Sequence, residues 1–475
     1  MSISLALFSE QADPVPLRGV SIDTRTIRAG ELFAAVRGER FDGHDFMDKA
    51  IAAGCAAILA ERPPAQKISV PLLLVDDVLH SLGAAAKRWR QQVNPLVLAV
   101  TGSCGKTTVK EMLTRVLQRH FAHVHCTRGN FNNHIGLPLT LLAMPENCQA
   151  LILEMGMSAA GEITYLAQLA EPDIGIVTNV MPAHLESFHD LQGIVDAKGE
   201  LLQALPANGL AIIPAGQSYS DRLRQKAAIV PTLTFGSDNS ADIYCTLLSS
   251  ASNTALSNSD TTPQKANNAA QSFIIHWQAE QDGVKTGLSS PGEHLRLNSL
   301  AVAAAARRAA VPLSEIALGL QEFNTTAGRG GVRTSPQGWL VIDDSYNANP
   351  GSVRAALRAL PQPAAHGRRI AVLGDMLELG KEAELLHREL WQEILAAEID
   401  LLFTAGPLMY ELHQEIEKHA VNNGTQRIYS QHRHDPAEWL NQITPLLQPD
   451  DVVLVKGSRG MKMERIVENL VTNAL

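Results

Sequence analysis

The segment TGSCGKTT (101–108) is the strongest chemical signal in the chain. It follows the apolar run LVLAV (96–100) and precedes a stripe of apolar residues at helical spacing between Val109 and Leu117. A strand, a glycine-containing loop and a helix in this order wrap backbone N–H groups around phosphates. The full pattern G-x-x-x-x-G-K-[ST] lacks its first glycine, because position 100 is Val. We therefore predict a nucleotide site, rather than an incidental turn, formed by Thr101, Gly102, Ser103, Cys104, Gly105, Lys106, Thr107 and Thr108.

Two residues of this loop are expected to carry the phosphate chemistry. Lys106 would reach the terminal phosphates, and the Thr107 hydroxyl would ligate Mg²⁺. Such a metal also needs a carboxylate at the end of a neighbouring strand. Glu154, which closes the strand ALILE, is the candidate, and a solvent-facing carboxylate is the alternative. A phosphate loop indicates a nucleotide, but it does not decide between a kinase, a switch ATPase and a ligase.

Lys198 interrupts the apolar stripe of the predicted helix LQGIVDAKGELL (191–202). At such a position the stem of a lysine usually packs on the core while its ammonium reaches water. Asn179 and His184 precede this helix and follow the strand DIGIV at its C-terminal end, the edge at which α/β sheets bind ligands. Lys198 is therefore either an ordinary lysine that reaches the surface or a part of a site at that edge.

Length and composition limit the class of protein. A chain of 475 residues exceeds one core and predicts two to four domains. The net charge of −9 disfavours a nucleic-acid partner. Five scattered cysteines without metal-type spacing favour a reducing compartment and no structural zinc. Neither a signal peptide nor a membrane span of about 18–20 apolar residues is evident, so we expect a cytoplasmic protein without membrane insertion.

The chain divides into three blocks. Residues 1–93 combine short strands with helical patterns, and residues 94–313 alternate strands with helices as a parallel sheet does. A polar, low-complexity stretch (249–272) interrupts the second block and is expected to be a surface insertion. Residues 314–475 repeat the strand–helix rhythm with WLVIDD, RRIAVLGDM, DLLFTAG and DVVLVKG, which predicts a second doubly wound unit. The predicted fold is α/β with a small N-terminal α/β domain, a central P-loop parallel-sheet domain and a C-terminal Rossmann-like domain.

Several segments together resemble the Mur ligase family, and within it the MurF type. They occur in the family's order across all three blocks: TGSCGKTT, GNFNNHIGLPLTLL (129–142), LEMG, TNVMPAHLESF (178–188), DAKGE and DDSYNANP (343–350). The ending SYNANP favours the dipeptide-adding type, and the D-N-P-R motif typical of the diaminopimelate-adding sister is absent from the sequence. The resemblance implies that the N-terminal domain holds a UDP-sugar, the central domain is an ATPase and the C-terminal domain closes over both.

The resemblance also implies ATP-driven amide formation. The terminal carboxylate of UDP-N-acetylmuramoyl-tripeptide becomes an acyl phosphate, which the amine of D-alanyl-D-alanine then attacks. In this family the lysine of D-A-K-G-E is carbamylated, and carbamate oxygens suit a hard cation. Desolvation on an apolar stripe favours the neutral amine that adds CO₂. Lys198 and His184 would then hold a second Mg²⁺ beside the one held by Thr107 and Glu154.

The same resemblance assigns residues around ATP. Asn132 and Asn133 lie in a loop near the phosphates and the substrate, and we assign Asn132 to the substrate and Asn133 to catalysis. His294 and Asn298 match a segment that leads a helix and contacts adenine. Without the resemblance, the alternative for Asn298 is a helix-start residue. Arg329, in AGRGG, matches a Gly-Arg that meets ATP as the third domain closes.

The third domain contributes the segment DDSYNANP. Asp344 resembles a nucleotide-contacting aspartate, and Tyr346, Asn347 and Asn349 are expected to line the meeting point of ATP and the dipeptide. A tight turn is the structural alternative for SYNANP, and both can hold. In KGSRGMKMERIVENL (456–470), Lys456 and Arg459 are equally open to a structural and a catalytic role.

In the first block, residues 21–46 resemble the segment that cradles the uridine diphosphate. The residues assigned to this substrate are Thr24, Arg25, Gly43 and His44. The planar guanidinium of an arginine suits a diphosphate. We expect a monomer whose partners are UDP-N-acetylmuramoyl-tripeptide and D-alanyl-D-alanine.

Rival functions are separable by sequence features. A sister Mur ligase adding one amino acid and a folylpolyglutamate synthase-like ligase share the P-loop and the lysine, and they remain alternatives. A P-loop phosphotransferase is a remote one, since it needs neither the His184–Lys198 pair nor a complete third domain. A non-catalytic scaffold predicts damage to Lys106, Glu154 or Lys198, and all three are intact.

Overall fold

The computed structural model describes residues 3–9, 13–38, 40–64, 67–182, 188, 190–248, 271–280, 283–364, 366–422 and 428–472. Three sheets follow one another along the chain, with helices packed against them. The predicted three-domain α/β fold is therefore confirmed. No helix within these ranges has the length and apolarity to cross a membrane.

The first domain is a four-stranded parallel sheet with strand order β1-β2-β3-β4. Its elements are β1 (Val20–Ser21), β2 (Leu32–Ala34), α1 (Met47–Ala52), β3 (Ala57–Ala60), β4 (Leu72–Leu74) and α2 (Val78–Val93). Helix α2 begins after Asp77, whose side chain accepts a hydrogen bond from His80 N. Its apolar face, including Leu82 and Trp89, is buried. Since α2 packs against helices of the middle domain, one hydrophobic core spans both domains.

The middle domain contains nine strands in the order β13-β12-β11-β10-β9-β8-β5-β7-β6. Its strands are β5 (Leu96–Thr101), β6 (Val124–Cys126), β7 (Ala150–Glu154), β8 (Ile174–Val177), β9 (Leu210–Pro214), β10 (Thr232–Phe235), β11 (Ile243–Leu247), β12 (Gln271–Trp277) and β13 (Val284–Leu288). Its helices are α3 (Lys106–Leu117), α4 (Gly136–Leu142), α5 (Glu162–Ala170), α6 (Leu191–Gln203), α7 (Ser220–Ala227), α8 (Glu293–Arg308) and α9 (Leu313–Gln321). The neighbouring strands from β6 to β11 in this order pair in parallel, whereas β12 pairs antiparallel with both β11 and β13. The parallel strands near β5 are buried on both faces, which explains their continuous apolar runs.

The third domain is a six-stranded sheet with strand order β14-β15-β19-β16-β17-β18, parallel except for the edge strand β14. Its elements are β14 (Gly331–Thr334), β15 (Leu340–Asp344), α10 (Pro350–Arg358), β16 (Arg369–Gly374), α11 (Ala383–Arg388), α12 (Trp391–Ala396), β17 (Leu401–Ala405), α13 (Met409–Asn422), β18 (Tyr429–Arg433), β19 (Val452–Lys456) and α14 (Glu464–Thr472). Hydrophobic clusters cover both faces of this sheet, as in other doubly wound folds.

Two details differ from the sequence-based boundaries. The sequence predicts that the second block ends at residue 313, but α9 packs against α3 and β13 of the middle domain. Arg119, just beyond α3, pairs with Glu315 and Glu322 and ties α9 in place. The predicted insertion (249–272) also ends two residues too late, because residues 271 and 272 already belong to β12 and pair with β13. Residues 249–270 lie outside the described ranges.

Candidate active site

The phosphate loop connects β5 to α3 at the carboxyl edge of the middle sheet. Its backbone is held by the neighbouring strand end: Ser103 N donates to Asn179 O (3.1 Å) and Cys104 N to Asn179 Oδ1 (2.9 Å). The Lys106 ammonium folds back and donates to Gly102 O (2.7 Å). Thr101 Oγ1 is buried and has no hydrogen-bond partner in the described part of the chain. The predicted strand–loop–helix arrangement is therefore present, and the phosphate role of its loop stays a prediction.

Glycine is required at two loop positions. Gly102 has φ +150°, and a Cβ there would lie 1.9 Å from Thr178 Oγ1. Gly105 has φ +82° and begins α3, and its Cβ would approach the Asn298 amide to 2.9 Å. Any other residue at either position would therefore place a Cβ against a neighbouring side chain and distort the loop.

Thr107 and Glu154 meet as the metal hypothesis requires. The Thr107 hydroxyl donates to Glu154 Oε2 (2.6 Å), and Asn132 Nδ2 donates to Glu154 Oε1 (2.8 Å). Glu154 is 3% exposed, so the alternative of a solvent-facing carboxylate is wrong. Among the described residues, its side chain has only these two neutral partners, and its backbone N–H donates to Thr127 Oγ1 (3.0 Å). A buried carboxylate with only neutral partners is an oxygen ligand that suits a hard divalent cation.

Lys198 lies on α6 and is 3% exposed, so the alternative in which its ammonium reaches water is wrong. Burial lowers the pKa of Lys198 well below its usual value, and the positive charge of Lys106 lowers it further. Cys104 acts in the opposite direction. Lys198 therefore lies within electrostatic reach of Lys106 and Cys104 of the phosphate loop, and its burial favours the neutral amine. His184, its predicted companion, lies outside the described residues.

The third domain contacts the phosphate loop directly. Asn349 Nδ2 donates to Cys104 Sγ across 3.0 Å. Asn349 also begins α10, where its Oδ1 accepts from Ser352 N and its N–H donates to Ser352 Oγ. The turn interpretation of SYNANP and the site interpretation of Asn349 are both compatible with this arrangement. Asn347 is exposed, and its backbone carbonyl accepts from Lys456 Nζ (2.8 Å).

A narrow cleft separates the start of α8 from the third domain. It is lined by Pro291, His294, Leu295, Gly330, Val332, Ile342, Asp344, Ala356 and Ala359. Burial, followed by the charges of Lys456 and Arg296, lowers the pKa of His294, although Asp344 acts in the opposite direction. Lys456 is 2% exposed, and its ammonium pairs with Asp344 Oδ2 at 2.7 Å. His294 and Asp344, 50 positions apart in the sequence, therefore share one cleft.

Asn298 is not a helix-start residue, because α8 begins at Glu293 and Asn298 lies in its second turn. Its buried amide faces Gly105 of the phosphate loop. Arg329 stacks its guanidinium over the Tyr346 ring at 3.9 Å, and Arg459 approaches the same ring at 5.4 Å. Tyr346 therefore positions Arg329 at the edge of the third domain.

Two assigned groups have clear structural tasks. Asn133 Oδ1 accepts from Ile135 N (3.2 Å) and Gly136 N (2.9 Å), where α4 begins. In the first domain, both ring nitrogens of the buried His44 are used internally: Nε2 accepts from Glu61 N (2.9 Å), and Nδ1 lies 2.6 Å from Asp42 Oδ1. Such a ring has no free nitrogen for a diphosphate.

The other residues of the first domain differ in how open they are to solvent. A Cβ at Gly43 would lie 2.7 Å from the backbone N and O of Val36, so this glycine permits a close chain approach. Thr24 is half-buried, and Arg25 is exposed and pairs with Asp23 (2.7 Å). Hydrogen bonds from Arg25 lower the pKa of Asp23 to about 2. Thr24 and Arg25 follow β1 at the same sheet edge as the loop after β2, and they are the two assigned residues still open to a ligand.

Sequence reasoning missed two residues that hold the site. Thr178 Oγ1 donates to Cys104 O. Lys110, one turn beyond Lys106, is 2% exposed and donates to Thr127 O at 2.8 Å. The sequence signal that could have revealed Lys110 is the same as for Lys198: a charged residue at an apolar position of a helix.

Comparison with known proteins identifies the family. The chain matches the Mur ligase family catalytic domain over residues 16–90, the Mur ligase middle domain over residues 100–306 and the Mur ligase glutamate ligase domain over residues 328–459. A Bacillus subtilis (strain 168) protein named UDP-N-acetylmuramoyl-tripeptide–D-alanyl-D-alanine ligase is 35% identical over 472 residues, covering 99% of this chain and 96% of that protein.

Solved structures agree with this match. MurF from Acinetobacter baumannii aligns with a TM-score of 0.85 and 28% identity, covering 100% of this chain and 99% of that one. MurF from Thermotoga maritima in complex with ADP aligns with a TM-score of 0.76 and 29% identity, covering 95% and 97%. The three matched ranges fall in the three domains, and the range of the middle domain contains the phosphate loop, Glu154 and Lys198. The chain belongs to the Mur ligase family.

Proposed function

We propose that this chain is an ATP-dependent ligase that joins D-alanyl-D-alanine to UDP-N-acetylmuramoyl-tripeptide and completes the peptidoglycan pentapeptide precursor in the cytoplasm. The relatives that match over their full length carry this name. The observation that carries the proposal is the contact between Asn349 and Cys104, which brings the third domain onto the phosphate loop. A ligase of this kind must align two reactants and exclude water from an acyl phosphate, and a closing domain does both.

The phosphate loop and Lys106 bind the γ-phosphate and stabilise the charge that develops as the tripeptide carboxylate attacks it. The Lys106 ammonium donates a hydrogen bond to Gly102 O, and it would turn toward a phosphate when ATP replaces that acceptor. Arg329, stacked on Tyr346, adds a second cation from the third domain. The attack breaks the bond between the γ-phosphorus and the bridging oxygen, so ADP leaves and an acyl phosphate forms. The neutral amine of the dipeptide then attacks the acyl carbon, and phosphate and a proton leave as the amide forms.

ATP is expected to lie between the middle and third domains. His294, Asn298 and Asp344 bind its adenosine portion in the cleft at the start of α8. Asn132, Asn347 and Asn349 lie toward the substrates. Asn133 supports this loop through the start of α4, so its contribution to catalysis is indirect. Thr24 and Arg25 bind the uridine diphosphate, while Gly43 and His44 shape that pocket.

Mg²⁺ fits this donor set. Thr107 and Glu154 offer a hydroxyl and a buried carboxylate side by side, and these residues would hold one ion. Lys198, as a carbamate, and His184 would hold a second ion. The lowered pKa of Lys198 supports the neutral amine that carbamylation requires. When bound, the ions neutralise the phosphate and carboxylate charges that otherwise repel each other.

Two further expectations concern the protein's surroundings. The five cysteines are free thiols, which is compatible with a reducing cytoplasm. The proposed site draws on the three domains of one chain, so we expect a monomer.

The decisive experiment measures phosphate release from ATP with UDP-N-acetylmuramoyl-tripeptide and D-alanyl-D-alanine supplied singly and together. We expect release that requires both, with a product heavier by one dipeptide. Lys106→Met is the matched control, since it keeps the helix and removes the ammonium. Release that ignores the dipeptide, or that requires one free amino acid instead, would replace this proposal with a plain ATPase or a sister ligase.

A further inference from the structure

A buried ammonium occupies the inner face of the phosphate-loop helix without touching the loop itself. Lys110 lies on α3 one turn beyond Lys106, and it is 2% exposed. Its Nζ donates to Thr127 O at 2.8 Å and pairs with Glu111 Oε1 at 2.8 Å. An apolar side chain of similar volume would fill this space without the desolvation penalty of a charge. Fold stability alone therefore does not explain a lysine here.

The acceptor of this hydrogen bond holds the end of β7. Thr127 directly follows β6, and its backbone N–H donates to Ile152 O at 3.0 Å. Its Oγ1 accepts from the backbone N–H of Glu154 at 3.0 Å. Lys110 therefore holds Thr127 through the Thr127 carbonyl, and Thr127 in turn holds the backbone N–H of Glu154 through its hydroxyl.

The loop that begins at Thr127 also returns to the same carboxylate. Asn132 Nδ2 donates to Glu154 Oε1 at 2.8 Å, and Asn132 O accepts from Gly156 N at 2.8 Å. The other carboxylate oxygen, Oε2, accepts from Thr107 on α3. Thr107 and Lys110 lie three positions apart on α3. Thr107 contacts Glu154 directly, and Lys110 acts on Glu154 through Thr127.

We infer that Lys110 is a positioning residue for magnesium: it ties the loop 127–133 to α3 and thereby sets the orientation of the Glu154 carboxylate. The inference rests on the proposed function only in taking Glu154 as a ligand of the ATP-bound cation. Groups that orient a metal ligand typically change metal affinity by about 10–100-fold when they are removed.

The test is Lys110→Met, which keeps the volume and loses the ammonium. Mn²⁺ binding in the presence of the β,γ-imido analogue of ATP is measured by electron paramagnetic resonance, without peptide substrates. We expect the Mn²⁺ dissociation constant to rise about tenfold, and the Mg²⁺ concentration for half-maximal ligation to rise in parallel. The KM for D-alanyl-D-alanine should change less than twofold. Lys110→Arg, which keeps a donor toward Thr127 O, should restore most of the metal affinity.

Two variants separate positioning from folding. Glu111→Gln loses only the ion pair of Lys110 and should bind Mn²⁺ within twofold of the unsubstituted protein. Thr127→Val removes the acceptor for Glu154 N–H and should weaken Mn²⁺ binding in the same direction as Lys110→Met, so it serves if Lys110→Met does not fold. A lowered melting temperature with unchanged Mn²⁺ affinity in Lys110→Met would overturn the inference. Since this assay contains no peptide, a failure of the proposed ligase reaction would leave its result interpretable.

Discussion

Asn349 Nδ2 donates to Cys104 Sγ across 3.0 Å, although 245 positions separate the two residues in the chain. One partner begins a helix of the third domain, and the other lies in the phosphate loop of the middle domain. The same asparagine therefore ends a turn, starts a helix and joins two domains. This relationship connects the third domain directly to the phosphate loop.

Replacing Asn349 by Ser should separate these tasks. Serine begins a helix about as well as asparagine but is too short to reach Cys104. We expect an unchanged melting temperature and a KM for ATP raised about two- to fivefold, the worth of one hydrogen bond. Thermal unfolding and an ATP titration of the ligation rate measure both quantities. Ser352→Ala is the control: it should destabilise α10 by about 1 kcal/mol and leave the KM unchanged.

Replacing Lys198 by Met should stabilise the protein and abolish its activity. The pKa of Lys198 is lower in the folded chain than in the unfolded one, so between these two values the unfolded chain binds more protons. Stability therefore rises with pH through this window, and Met removes that dependence. We expect a higher melting temperature at neutral pH, with a ligation rate lower by about 100-fold or more.

Urea unfolding in CO₂-free buffer, where Lys198 is the free amine, measures this effect at several pH values between neutrality and pH 10. The slope of unfolding free energy against pH should be smaller in Lys198→Met than in the unsubstituted protein. An equal slope in the two proteins would mean that the buried amine titrates as it does in the unfolded chain. Removal of dissolved CO₂ should lower the rate of the unsubstituted protein, since a carbamate forms only from CO₂ and the neutral amine.

Replacing Gly102 by Ala should damage nucleotide binding more than the fold. The new Cβ would lie 1.9 Å from Thr178 Oγ1, which is itself bonded to Cys104 O, so the loop must shift. We expect the KM for ATP to rise at least about tenfold, equivalent to about 1.4 kcal/mol. Gly161→Ala is the matched control, because Gly161 has φ +85° but nothing within 4 Å of its Cβ position. It should lose about 1 kcal/mol of stability with an unchanged KM.

Replacing His44 by Leu tests whether this ring supports the first domain or binds its substrate. Both ring nitrogens are engaged internally, and Leu leaves the Glu61 N–H and the Asp42 carboxylate without that partner. We expect a loss of about 1–3 kcal/mol in the free energy of unfolding, measured in urea. The KM for the UDP-linked substrate should change less than twofold. A large KM increase at unchanged stability would instead make His44 a substrate ligand.

The phosphate loop could be predicted from sequence because its strand, turn and helix are contiguous. Lys106, Thr107 and the glycines act through local backbone geometry, so their order is enough to place them. The strand–helix alternation likewise predicted parallel sheets, since hydrophobic patterning is a local property. Lys198 is conspicuous in the sequence for the same reason, because it is a charged residue within an apolar stripe.

Tertiary structure decided what sequence order could not. The pairing of Lys456 with Asp344, the approach of Asn298 to Gly105 and the packing of α9 on the middle sheet depend on which strands lie side by side. His44 has the residue type of a ligand, yet its two internal hydrogen bonds occupy it. The local sequence thus determined the predicted phosphate loop and the fold class. The partner of each buried polar group was set by strand order, because a buried polar group must find its hydrogen bond on whichever element lies next to it.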